Sequence, residues 1–240
     1  MGKGINRRIF GVIGSAISDY ELIQDGDRIL LGISGGKDSL FMAWALADIR
    51  RRAPVEFSLE AVTIDPGGPW KFDEVAIDSI HRFLSVIGVP YHVVTSNIAR
   101  VVIRGHGRKT PCSLCANLRR GYLHQAANDL GMSKVALGHH LDDAIETLLL
   151  NMFYQGNLRC FQPKTYLSRR NIEVIRPMVY VEEPWIAKAS SKLGLPVTPP
   201  TCGFSGNTSR QHMKGLVSGL SENIPGLRRQ MRNVFKSLWR

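Results

Sequence analysis

The sequence predicts an α/β fold, a parallel sheet with helices on both faces and short helical extensions at the two ends. Three observations predict it. Apolar, β-branched runs recur along the chain and are separated by stretches of helical period, the pattern of strand–helix–strand units. A tight glycine turn, "SGGKDS" at 34–39, follows the first run and opens a helix. Glycines stand at 131 and 194, where helical periods end and left-handed C-caps belong.

In chain order, the apolar runs place strands at 27–33, 57–64, 91–95, 134–138 and 172–176. Helical periods lie near 38–52, 72–88, 113–130, 141–155 and 182–193. Ahead of the first strand, residues 1–24 read as an amphipathic helix, with Ile5, Ile9, Val12, Ile13, Ala16, Ile17 and Tyr20 on one face. Its basic start and short apolar core also fit a signal peptide. A helix packed on the domain explains the same residues without a cleavage site, so the expected location is cytoplasmic. Residues 25–205 form the main domain. Residues 206–240 form a basic C-terminal helical extension. Its segment "IPGLRRQMRNVFKSLWR" puts Leu227, Met231, Val234, Phe235 and Leu238 on one face, with Arg228, Arg229, Arg232, Lys236 and Arg240 largely off it.

Hydrophobic residues make up 44% of the 240, enough for an ordinary globular core. No run approaches the ~18–20 apolar residues of a membrane span. Lysine and arginine total 31 against 20 acidic residues, a net charge of +11 that suits a polyanionic partner.

The turn at 34–39 is built for phosphate. Gly35 and Gly36 let successive N–H groups converge on an anion, and the helix that follows adds its unpaired donors and dipole. Lys37 supplies charge, and Ser34 and Ser39 supply hydroxyls. An ordinary glycine turn with a solvated lysine is the plain alternative. A Walker A loop is excluded, because Leu31 and Asp38 stand where that motif needs Gly and Ser or Thr. In a parallel sheet, ligands bind beyond the carboxyl ends of the strands, where this turn falls.

The four cysteines are Cys112, Cys115, Cys160 and Cys202. "PCSLC" opens a helix. Its two sulfurs are unrelated buried thiols, a redox pair or part of a metal site. Cys202, in the Pro-rich stretch "LPVTPPTCGFSGN", is the best third ligand. Three thiolates without a fourth suit an iron–sulfur cluster with one open iron better than closed zinc. Cys160 is the alternative fourth ligand, but "GNLRCFQPK" follows a helix expected on another part of the sheet.

"SGGKDS", "PCSLCANLRRGYL", "GHHLDDAIETLLLNMFYQG", "VIRPMVYV" and "PPTCG" stand in an order and spacing that resembles the tRNA 2-thiocytidine synthetase family, iron–sulfur tRNA thiolases of the PP-loop ATP pyrophosphatase group. The similarity covers about residues 25–205. It implies the adenine nucleotide alpha hydrolase-like fold, ATP and Mg²⁺ as cofactors, and tRNA as partner. It implies adenylation of a pyrimidine C2 carbonyl, most simply cytidine, and replacement of its oxygen by sulfur. Cys112, Cys115 and Cys202 would hold a 4Fe-4S cluster whose free iron carries the sulfide. Ser34, Gly35, Gly36, Lys37, Asp38 and Ser39 would bind phosphates, with Thr63 and Ile64 on the adenine side and Gly138 beside them. Asp143 would act in catalysis and hold Mg²⁺, although aspartates at a helix start also serve as caps. Arg119, always charged, would stabilise phosphate or adenylate. A cysteine desulfurase or free sulfide is the implied sulfur donor, and a homodimer is one expected assembly.

The chain departs from the family in two ways. "TCGFSG" lacks a second Cys common after the third ligand, and the chain stops at residue 240, short of many members. Absence of cysteine-rich zinc modules favours the cytidine over the 2-thiouridine branch. Other readings are a PP-loop sulfur transferase for another RNA or a small molecule, and a cluster-containing RNA-binding or redox-sensing protein.

Overall fold

A computed structural model describes residues 3–105, 111–202 and 209–239, the side chains of 3–6 aside. Among them six strands form one sheet in the order β3-β2-β1-β4-β6-β5. The strands are β1 (Asp27–Gly32), β2 (Phe57–Asp65), β3 (Tyr91–Thr95), β4 (Lys134–Ala136), β5 (Lys164–Leu167) and β6 (Ile172–Ile175). β1 pairs in parallel with both β2 and β4, β2 with β3, and β4 with β6.

The helices are α1 (Lys3–Asp19), α2 (Lys37–Arg50), α3 (Glu74–Val86), α4 (Ile98–Arg104), α5 (Pro111–Asp129), α6 (Leu141–Gln155), α7 (Glu183–Leu193), α8 (Ser209–Asn223) and α9 (Leu227–Leu238). Alternation along β1 shows how the layers divide. Ile29 and Leu31 join one core with α1, α2, α3 and α7 residues such as Ile13, Leu40, Leu84 and Ile186. Leu30 points the other way, into a core with Ile98 and Val102 of α4 and Leu123 and Ala127 of α5. A third core joins α6 to the C-terminal helices through Leu141, Ile145, Val217, Phe235 and Trp239.

The predicted strands and helices are all present, and the sheet is mostly parallel, with one strand beyond those predicted. β5 runs antiparallel to β6 at the edge. Its four residues, "KTYL", are too short and mixed to register as a strand in the sequence. α4 is seven residues long, and α8 carries Gly215 and Gly219 with scattered apolar residues, so neither announced itself by period. The apolar stripe of α9 also differs from expectation. Leu227 and Met231 are partly buried, and Phe235 and Trp239 are buried, while Val234 and Leu238 lie exposed. A strict four-residue spacing that reaches Trp239 sets this face. The basic residues are not all free: Arg228 pairs with Asp142 at 2.7 Å and Lys236 with Asp19 at 2.8 Å. Arg240 lies outside the described residues. No described helix is long and apolar enough to cross a membrane.

β1 is flanked by β2 on one side and β4 on the other, so the chain reverses its direction of winding at the β1/β4 boundary. Such a switch leaves a crevice beyond the carboxyl ends, and both 34–39 and 137–140 leave the sheet there.

Candidate active site at the carboxyl edge of the sheet

The phosphate loop is held by its own atoms. The Ser34 N–H donates to Ser39 Oγ at 3.1 Å, and Ser39 Oγ lies 2.9 Å from the Gly36 carbonyl, to which it donates. The Gly36 N–H lies 3.3 Å from Ser34 Oγ. Gly35 has φ +79°, and a Cβ there would stand 2.1 Å from Thr198 Oγ1. Thr198 in turn donates its N–H to the Gly35 carbonyl at 2.9 Å. Gly138 lies flat against the first turn of α2, where a Cβ would meet the Ser39 nitrogen at 3.0 Å and Asp38 carbonyl carbon at 3.1 Å. Both glycines are therefore required by contact, at Gly35 by backbone conformation as well.

Thr63 and Ile64 are buried. The Thr63 hydroxyl donates to the Ile33 carbonyl at 3.1 Å and accepts from Tyr91 at 2.8 Å. Their side chains thus serve the protein interior rather than an open surface.

Lys37 Nζ meets Asp38 Oδ1 at 3.0 Å and Glu183 Oε1 at 2.8 Å. Lys214 of α8 reaches the same Glu183 oxygen at 2.7 Å. Burial, the largest influence on Glu183, raises its pKa. The hydrogen bonds from Lys214 and Lys37 prevail and hold it at about 2.

His140 caps α6 in a reciprocal box. Its Nδ1 accepts from the Asp143 N–H at 3.3 Å, and Asp143 Oδ2 accepts from the His140 N–H at 2.9 Å. Asp143 Oδ1 accepts from Arg210 Nη2 at 2.5 Å, and Arg210 Nε donates to Glu146 at 3.0 Å. Buried Glu146 titrates above its usual range because of burial, with Arg210 opposing. Asp142 is nearly fully buried; it accepts from the Glu183 N–H and from Arg228 Nε, both at 2.7 Å. Both aspartates thus serve the fold: Asp143 as a cap, Asp142 as a tie to α7 and α9. Nearby His139 is pushed down to about 4, chiefly by burial, and so is neutral near pH 7. Its Nδ1 accepts from Arg176 at 3.3 Å.

Cys112 directly follows Pro111 at the start of α5, and Cys115 lies about one turn further on. Cys112 is exposed, and Cys115 and Cys202 are half-buried against the α4–α5 core. Burial pushes the Cys115 thiol up. Arg119 opposes by charge and hydrogen bond, while negative charge on Cys202 or Cys112 would raise it further. Cys115 therefore lies within electrostatic reach of both Cys112 and Cys202. Arg119 Nε is buried beside them with no hydrogen-bond partner among the described residues. A soft-donor set of three thiols with an orphaned cationic donor fits an anionic sulfur-bearing cluster. Among the described residues no three His, Cys, Asp or Glu side chains already stand in metal-binding array. The rest of "TCGFSG" lies outside the described residues.

Cys160 is elsewhere. It packs in the α6–α9 core, its Sγ 3.5 Å from the Ala144 carbonyl, and burial pushes its thiol up to about 12.

One segment spans the two half-sites. Thr198 bonds the phosphate loop, Thr201 Oγ1 donates to the Trp70 carbonyl at 2.7 Å, and Cys202 follows at the thiols. The sequence does not reveal Thr198, Glu183, Arg210 and Lys214, and it sets Arg228 on the free side of α9, where the structure pairs it with Asp142. "VEEPW" reads as an ordinary helix start, and nothing local in α8 or α9 reveals an acidic partner.

Comparison with known proteins agrees with this fold. A family model described as a PP-loop domain matches residues 9–196. A tRNA-cytidine(32) 2-sulfurtransferase of Alkalilimnicola ehrlichii is 39% identical over 98% of this chain and 74% of its own. One from Syntrophotalea carbinolica is 43% identical over 92% and 85%. Among solved structures, the U34-tRNA thiolase NcsA from Methanococcus maripaludis, with its 4Fe-4S cluster, superposes with TM-score 0.75 at 22% identity. It covers 99% of this chain and 78% of the thiolase, a likeness of fold.

Proposed function

The chain belongs to the tRNA-cytidine 2-sulfurtransferase family of PP-loop enzymes, and on that premise we propose how its own residues divide the work of ATP-dependent tRNA thiolation. The observation that carries the reading is the meeting of an intact phosphate loop with the Cys115 and Cys202 thiols at one edge of the sheet, joined through residues 198–202.

Residues 34–39 bind the ATP phosphates through backbone N–H groups, with Lys37 leaving Glu183 for phosphate. Because the Thr63 and Ile64 side chains are committed inward, adenine rests on the main chain of that strand end. The cytidine carbonyl oxygen attacks the α-phosphorus, the bond to the β-phosphate oxygen breaks, and its electron pair leaves on pyrophosphate. AMP then becomes the leaving group from C2 in place of an oxide. Lys37 stabilises the charge growing on pyrophosphate.

Asp143 is the carboxylate that would hold Mg²⁺, which requires Arg210 to let go of it. Cys112, Cys115 and Cys202 would hold the 4Fe-4S cluster, which would supply iron to carry the incoming sulfide. Arg119, fixed in charge, faces the same place and stabilises the anionic adenylate. We assign cytidine 32 as the target by likeness to the relatives' names, a cysteine desulfurase or free sulfide as donor, and the cytoplasm as the site of action. A homodimer is the assembly we propose for tRNA to bridge.

Mass spectrometry of tRNA nucleosides tests this directly. 2-Thiocytidine should vanish when the gene is removed and return with the wild-type gene, but not with Cys115→Ala. Unchanged 2-thiocytidine after gene removal would refute the function.

A further inference from the structure

We propose that Lys214 of α8 is a second pyrophosphate-binding residue, and that Glu183 holds its place in the nucleotide-free protein. The inference rests on the phosphate-loop reading above. A single carboxylate oxygen, Glu183 Oε1, lies 2.8 Å from Lys37 Nζ and 2.7 Å from Lys214 Nζ. The two ammonium nitrogens therefore lie within the sum of those distances, converging on one oxygen. That is the arrangement a bridging phosphate oxygen accepts, since ammonium groups bind phosphate as point charges from any side.

The main chain of Glu183 is fixed, so the convergence is built rather than incidental. Its N–H is held by Asp142 at 2.7 Å, and Asp142 is held in turn by Arg228. Lys214 remains partly open, its side chain 47% exposed, and so is free to follow an arriving ligand. One turn earlier on the same face of α8, Arg210 meets Asp143. α8 thus brings two cations to the mouth of the phosphate loop. The leaving group explains the need. Pyrophosphate departs with several negative charges, whereas the loop itself contributes one lysine. The exchange is balanced in charge: phosphate oxygen replaces carboxylate oxygen between the same two cations, and Glu183 turns to solvent.

Calorimetric titration of the full chain with magnesium pyrophosphate tests the proposal. Lys214→Gln should weaken binding about ten- to hundredfold, the value of one charge-assisted hydrogen bond. Lys214→Arg, which keeps the charge, should recover most of the loss. Glu183→Gln should leave affinity equal or raise it, because a competing anion has gone. Lys192→Gln, on the exposed end of α7, should change nothing. Affinity unchanged in Lys214→Gln but lost in Lys37→Gln would reduce Lys214 to an anchor for α8 and overturn the proposal alone. Loss in Glu183→Gln as large as in Lys214→Gln would overturn it too, by showing the cluster to be scaffolding. Indifference of the wild-type chain to pyrophosphate, with Lys37→Gln equally indifferent, would instead overturn the phosphate-loop reading beneath it.

Discussion

The phosphate loop and the thiol cluster share one edge of the sheet but are assembled in opposite ways. The loop is six consecutive residues that hydrogen-bond one another, buttressed by Gly138 and Thr198 at main-chain distance. The thiols come from the start of α5 and from the far end of the 195–202 segment, elements distant in sequence. A site made of backbone is formed as soon as the sheet forms. A site made of distant side chains is completed by what it binds. The two should therefore fail independently, although thiolation needs both.

The largest effects follow from that independence. Lys37→Ala should lower RNA-dependent pyrophosphate release by about a hundredfold or more while iron content after anaerobic purification stays at the wild-type level. Cys112→Ala, Cys115→Ala and Cys202→Ala should each lose the iron and all thiolation while pyrophosphate release continues. Cys160→Ala should keep both. Iron and pyrophosphate assays on the same preparations check the pattern, and joint loss in either set would mean the half-sites are one cooperative unit.

A smaller effect tests the segment between them. Gly35→Ala forces a side chain into a left-handed backbone and against Thr198. The strain is about 1–2 kcal/mol, so ATP affinity should fall about tenfold, with iron content intact. Loss of iron as well would show that the 198–202 segment transmits the disturbance to Cys202.

The smallest effect is acid stability. Glu183 is held at about 2 in the folded protein against an ordinary 4.5. A carboxyl depressed by folding contributes its full stability above 4.5 and loses it as pH falls from there toward 2. Glu183→Gln should therefore melt lower than wild type near neutrality, by on the order of a few degrees, with the gap closing below 4.5. Parallel melting curves across that window would show that the two lysines do not hold the carboxylate.

The contrast between the half-sites also governs what the sequence could reveal. "SGGKDS" and "GHHLDD" are legible because glycine, charge and strand end sit within a few residues, and local chemistry is what sequence displays. The strands β1, β2, β3, β4 and β6 were legible for the same reason, since each is a local apolar run set off by a helical period. β5 was not, because four mixed residues at an edge carry no period. Glu183, Arg210 and Lys214 were hidden because their meaning lies in a partner on another element, and only the packing of α8 over α6 brings them together. For Arg228 the sequence pointed outward, off the apolar face, whereas the fold turns it inward onto Asp142.

The central claim is that ATP activates the base oxygen itself before sulfur replaces it. It is tested most directly with tRNA carrying oxygen-18 at the target cytidine C2 carbonyl, incubated anaerobically with the iron-loaded enzyme, ATP and sulfide. The account predicts that the label is recovered in AMP, in step with 2-thiocytidine. Label in water or in pyrophosphate, with AMP unlabelled, would contradict it.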